Sequence, residues 1–186
     1  MQNTAIILTG GKSSRMGSDK ALIKLEGQTL LDRAIAFCSS FTDEVLISSD
    51  SENHKKENIR TIPDEFKDCG PIGGIYSCLK QSSNEWNFVL SVDAPFVEKK
   101  FVGFLINSAS GFDAVVPIHE GKREPLIALY NKSSVPQFES QIKTGNYKLY
   151  FLLQELKTNF VEANEWLRKY PNLFQNINYP EDLENI

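Results

Sequence analysis

Histidine is scarce in this chain: His54 and His119 are the only two among 186 residues, little material for a histidine-rich metal site or a His-dependent catalytic triad. Cysteine is scarce too. Cys38, Cys69 and Cys78 form an odd set with no CxxC spacing, which suits reduced packing thiols in the cytoplasm better than a disulfide framework. No apolar run is long enough to span a bilayer, and the opening Met1-Gln2-Asn3-Thr4 lacks the basic start and long hydrophobic stretch of a signal peptide. An excess of positive charge is also missing. The formal net charge is −4, so neither nucleic acid nor an anionic membrane is an expected partner, and any cationic chemistry has to be local.

What is present is ordinary globular material. A hydrophobic fraction of 41%, a charged fraction of 24% and twelve Phe supply one sizeable core, and no repeat, linker or low-complexity segment divides the chain, so residues 1–186 are expected to form one domain. The run Thr4 to Thr9 reads as a strand buried on both faces and stopped by Gly10-Gly11. Leu30, Leu31, Ala34, Ile35 and Cys38 recur at helical spacing behind a Thr29 cap. Strand patterns follow at 45–47, 59–62, 87–92, 114–117 and 127–130, with helical patterns at 72–79 and 99–106 between them. A longer helical pattern over 134–156 is interrupted by Gly145, and Phe160-Val161 reads as a late edge strand.

This alternation predicts an α/β fold: Rossmann-like, doubly wound, with a mainly parallel sheet and helices on both faces. Ligands of such sheets bind outside the carboxyl ends of the strands. Two loops begin at such ends, one after Thr9 and one after Val92, and the topology predicts that they meet over one crevice.

The first of these loops carries Gly10-Gly11-Lys12-Ser13-Ser14-Arg15-Met16-Gly17-Ser18-Asp19-Lys20. Glycines let backbone N–H groups approach a phosphate and the cations offset its charge, so a polyanion cradle is the chemistry it suits. A solvated Gly/Ser turn is the bland alternative, and the buried strand before the loop favours the cradle. It is not a P-loop, because Ile6 stands where that motif needs its first glycine. The dinucleotide fingerprint and the G-x-S-x-G elbow fail as well, the latter because Arg15 replaces the final glycine. The second loop begins Val92-Asp93-Ala94-Pro95, and a carboxylate at a strand end can reach a magnesium ion that bridges nucleotide phosphates.

The string from Leu8 to Lys20 resembles the N-terminal signature of the molybdenum cofactor guanylyltransferases, the MobA-like family of the nucleotidyltransferase superfamily. The resemblance continues in order through 21–27, Gly70-Pro71-Ile72-Gly73-Gly74-Ile75, Val92 to Pro95, Arg123-Glu124-Pro125-Leu126 and 176–183, nearly the whole chain. It implies that Leu8, Thr9, Gly10 and Gly11 line the nucleotide, that Arg15 and Lys20 neutralise the triphosphate, and that Asp93 ligates Mg2+ and serves catalysis with both cations. Asp64 matches a family aspartate on the nucleotide side, although Pro63-Asp64 is also ordinary turn chemistry. Asn178 is a candidate for the metal or acceptor side, and asparagine in an N-x-N-x-P turn is an equally good structural element. Three departures stand out: Thr9 replaces the usual alanine, Tyr179 a usual threonine, and Ser48-Ser49-Asp50 occupies the region where the family offers an asparagine.

The resemblance further implies transfer of GMP from GTP to the phosphate of molybdopterin or the molybdenum cofactor, with a cofactor-delivery protein as a possible partner. Glycine at position 10 is typical of guanine-using members, where cytosine-using relatives tend to carry alanine. Rival readings are a cytidylyl- or sugar-phosphate nucleotidyltransferase and a nucleotide-binding module without turnover.

Overall fold

The computed structural model describes residues 2–10, 19–177 and 182. Strand β1 (Asn3–Leu8) is buried along its whole length, and its side chains alternate between two faces as the period of a strand requires. Ala5 and Ile7 join one core, with helices α1 (Leu30–Ser39) and α3 (Lys99–Asn107). Ile6 and Leu8 join the other, with α2 (Pro71–Gln81), α4 (Val135–Lys143) and α5 (Leu149–Glu155). Helices on both faces make the doubly wound arrangement that the sequence pattern implies. As expected, Thr29 opens α1 by accepting the Asp32 N–H at 3.0 Å, and the 134–156 pattern divides on either side of Gly145.

One sheet joins these layers. Besides β1 it contains β4 (Glu44–Ser48), β5 (Arg60–Ile62), β6 (Trp86–Ser91), β7 (Ala114–His119), β8 (Lys122–Arg123), β9 (Ile127–Asn131) and β10 (Thr158–Glu162). The order is β10-β7-β9-β6-β1-β4-β5, with β8 paired to β7. Strand β1 lies parallel to both β4 and β6, so the strand order reverses there and a switch-point crevice opens beyond its carboxyl end. The sheet is mixed: β8 runs antiparallel to β7, and β9 antiparallel to β6 and β7, because the β7–β8 hairpin turns the chain back where a helical crossover would have kept it parallel. Strand β10 sits at the edge, as its late position suggests.

Three small elements had no clear signal in the sequence: the hairpin β2 (Lys24–Leu25) with β3 (Gln28–Thr29), strand β8, and helix α6 (Asn164–Lys169). The last is tied to the body by aromatic packing. Phe101 meets the rings of Trp166 at 5.3 Å and Phe174 at 5.5 Å, both edge-to-face. The chain beyond then returns to the crevice, where the Ile177 N–H donates to the Asp93 carbonyl at 2.8 Å. Among the described residues no helix is long and apolar enough to cross a membrane.

Candidate functional site

The Leu8 carbonyl accepts the Val92 N–H at 2.9 Å, which draws the end of β1 and the end of β6 together. Lys20 returns to the same place on a short 3-10 turn, Lys20–Leu22, whose N-terminus is capped by Asp19 through the Ala21 N–H at 3.1 Å. Its Nζ lies 3.3 Å from Asp93 Oδ2. The other oxygen, Asp93 Oδ1, accepts the Ser91 hydroxyl at 2.6 Å. The described ends of the first loop and the start of the second therefore meet at one crevice.

Asp93 is the described carboxylate best placed for a metal, and no group of three or more His, Cys, Asp or Glu forms a metal cage among the described residues. Mg2+ fits such a sparse protein contribution. It commonly takes one or two carboxylates and completes its shell with water and substrate phosphates.

Asp64 stands at the other end of the row, beyond β5. The Ser48 hydroxyl donates to Asp64 Oδ1 at 3.4 Å, and the Asp64 N–H donates to Asp50 Oδ1 at 3.3 Å. Burial, helped by the neighbouring charge of Asp50, raises the Asp64 carboxyl above the usual range, against the lowering effects of Lys67 and Ser48. Where the family usually offers an asparagine, this chain thus has Ser48 and Asp50 both attached to Asp64. The first turn of α2 presses on the same carboxylate. A Cβ at Gly74 would meet Ser48 Oγ at 2.3 Å and both Asp64 Oδ1 and Leu8 Cδ2 at 3.4 Å, so glycine is what permits this close approach.

Between these ends lie Leu8, Thr9 and Gly10. Leu8 and Thr9 are buried, and the Thr9 hydroxyl donates to the Ser48 carbonyl at 2.8 Å. Where the family usually has alanine, Thr9 thus bonds the neighbouring strand. Gly10 has φ +106°, and a Cβ there would meet nothing within 4 Å. Its glycine is required by backbone conformation rather than by a crowding protein neighbour. Gly11, Arg15 and Asn178 lie outside the described residues; the preceding Ile177 is the residue pinned to Asp93.

The profile of the MobA-like NTP transferase domain matches residues 5–159. The chain belongs to this family. A probable molybdenum cofactor guanylyltransferase of Methanosarcina mazei is 36% identical over 98% of this chain and 89% of its own length. One from Halalkalibacterium halodurans is 32% identical over 98% and 96%, respectively. Among solved structures, molybdopterin-guanine dinucleotide biosynthesis protein A of Archaeoglobus fulgidus superimposes with a TM-score of 0.82 at 28% identity, covering 98% of this chain and 95% of that one.

Two participants escaped the sequence reading. Ser91 and Asp93 are two apart at a strand end, a spacing that puts side chains on one side of a strand and could have flagged Ser91 as a partner. His54 could not have been found that way, since its contact to Asp19 joins residues 35 apart. Beside the row, a cleft of about 490 Å³ opens along Pro95, Phe96, Arg33 and Tyr170. It adjoins the Asp93 loop without including Lys20, Asp93 or Asp64. All three cysteines are free and buried, as their reading as packing residues requires.

Proposed function

We propose that this protein transfers GMP from GTP to the phosphate of molybdopterin or the molybdenum cofactor, releasing pyrophosphate and forming a guanine dinucleotide cofactor. The observation that carries this reading is the 3.3 Å approach of Lys20 to Asp93 at the switch point of the sheet, in a chain of the MobA-like NTP transferase family. A cation and a carboxylate at one strand-end crevice are what a magnesium nucleotide needs: one group for phosphate, one for metal.

In the reaction an oxygen of the acceptor phosphate attacks the α-phosphorus of GTP. A new P–O–P linkage forms as the bond to pyrophosphate breaks. The attacking oxygen is already anionic at neutral pH, so alignment and charge stabilisation matter more than a strong base. The two histidines are engaged elsewhere, His54 with Asp19 and His119 with Glu124. On nucleotide binding Lys20 would exchange its carboxylate partner for phosphate oxygens, and Asp93 would hold Mg2+. When bound, Mg2+ supplies charge neutralisation at the phosphates. Arg15 adds a second cation for the leaving pyrophosphate. Leu8, Thr9, Gly10 and Gly11 line the nucleotide with Asp64 at its far side, and Asn178 follows the residue tied to Asp93, on the metal or acceptor side.

Three buried free thiols suit a reducing cytoplasmic setting. The acceptor arrives free or from a delivery protein. The test is pyrophosphate release with Mg2+, molybdopterin and each NTP in turn. Release that depends on both GTP and acceptor is expected; preference for CTP would reject the guanylyl assignment, and no release with any NTP would leave only the non-catalytic reading.

A further inference from the structure

His54 is a buried titratable group for which the transfer reaction has no direct use. It sits at the end of a 3-10 turn, Glu52–His54, that follows β4. One ring nitrogen, Nε2, lies 2.7 Å from Asp19 Oδ2. A carboxylate only accepts hydrogen bonds, so Nε2 carries the proton in this contact. The other, Nδ1, lies 2.6 Å from Ser49 Oγ, and that oxygen also accepts the Ser51 N–H at 3.0 Å. The ring is therefore fixed from both sides.

Asp19 uses its second oxygen differently. Oδ1 accepts the Ala21 N–H at 3.1 Å and so caps the turn that begins with Lys20. Lys20 in turn reaches Asp93. A continuous set of contacts runs from the β4 loop through Ser49, His54 and Asp19 to the cation of the crevice. The cap and the histidine contact occupy different oxygens of one carboxylate, so each limits the rotation the other alone would allow.

We infer that His54 is a positioning residue: anchored by Ser49, it holds Asp19 and thereby sets the turn that aims Lys20 at the triphosphate. This inference rests on the nucleotide-site reading above. Ring and phosphate need not touch. A side chain that holds an ion-binding group in place can change affinity by fixing its orientation, as the hydrogen-bond partners behind metal ligands do.

The test compares His54→Leu with His54→Gln, since the Gln amide nitrogen can restore the donor to Asp19. Two readouts are needed: the KM for GTP in Mg2+-dependent turnover, and binding of inorganic tripolyphosphate with Mg2+, which removes base and acceptor from the measurement. Loss of an outer partner that orients a ligand-binding side chain commonly weakens binding by roughly 10-fold or more. His54→Leu is expected to raise the GTP KM and the tripolyphosphate Kd by about that factor, with the acceptor KM unchanged, and His54→Gln to recover most of both. In an Asp19→Ala background the His54→Leu effect should largely vanish, because the histidine acts through that carboxylate.

A purely structural role predicts otherwise: fewer active molecules or a lower Tm with wild-type KM and Kd. That outcome, failure of Gln to restore tripolyphosphate binding, or a wild-type protein that binds no tripolyphosphate would overturn the inference. The guanylyl assignment fails separately, through wild-type preference for CTP, in which case the same comparison is read with CTP.

Discussion

The ammonium of Lys20 and the carboxylate of Asp93 stand 3.3 Å apart although they are 73 positions apart in the chain. Their side chains remain 27% and 16% accessible, so the pair keeps a route to ligands in the crevice. A partly exposed ion pair contributes only about 0–1 kcal/mol to folding. Its position is therefore better explained by the crevice than by stability.

From this follows the first prediction. Asp93→Ala should lower kcat by at least about 100-fold, as loss of a group that stabilises developing charge does, while the circular dichroism spectrum and Tm stay close to wild type. Wild-type turnover in saturating Mg2+ would remove Asp93 from the site. Lys20→Ala should instead weaken NTP binding and slow transfer, read by titration calorimetry and by kcat/KM; unchanged values in both would contradict its assignment as the triphosphate clamp.

Asp64 predicts an opposition between stability and function. Its carboxyl is raised by burial and by Asp50, so the folded protein holds this proton more tightly than the unfolded chain does. The resulting stabilisation is complete below the unfolded carboxylate range, near pH 4, and is lost as pH rises through the folded value. At pH 7 the charged group is a burden on folding. Asp64→Asn should therefore raise Tm at pH 7, with the gain shrinking toward zero at pH 3, and should weaken GTP binding. A gain that grew on acidification would reverse the sign of the argument.

Gly74 tests the close contact between α2 and the strand ends. In Gly74→Ala the new methyl overlaps the Ser48 hydroxyl and displaces it, and with it the bond to Asp64. Overpacking of this kind costs about 1–3 kcal/mol. A lower denaturation midpoint together with a higher GTP KM is expected. Unchanged values for both would mean that the Ser48 and Asp64 side chains move aside at no cost.

Gly10→Ala discriminates between two roles for the loop's first glycine. The family resemblance associates glycine here with guanine and alanine with cytosine, whereas the structure adds that φ is +106°. Forcing a Cβ into positive φ costs on the order of 1–2 kcal/mol whichever base is bound. The expected outcome is a fall in kcat/KM for GTP and CTP alike, accompanied by lower stability. A loss confined to GTP would assign the glycine to base recognition instead.

The fold was legible where burial and period agree. The run Ala5-Ile6-Ile7-Leu8 feeds two cores at once, and the Thr29 cap opens α1 where its hydroxyl can reach Asp32. What local pattern could not convey was the direction of β9, which depends on the two-residue strand β8, too short to carry a period. Of the candidate site, the meeting of Lys20 with Asp93 was legible because the first loop follows β1 and Asp93 follows β6, two neighbouring parallel strands. The approach of His54 to Asp19 was not, since it joins residues 35 apart in sequence. The Thr9 hydroxyl is turned to the Ser48 carbonyl, a partner visible only once β1 and β4 are paired.

The most direct test of the account is the product itself. The protein would be incubated with Mg2+, GTP and molybdopterin, with CTP in a parallel reaction, and the products identified by mass spectrometry. The account predicts molybdopterin guanine dinucleotide together with pyrophosphate, absent from Asp93→Ala reactions. A cytosine dinucleotide as the preferred product, or unreacted molybdopterin with every NTP, would contradict it.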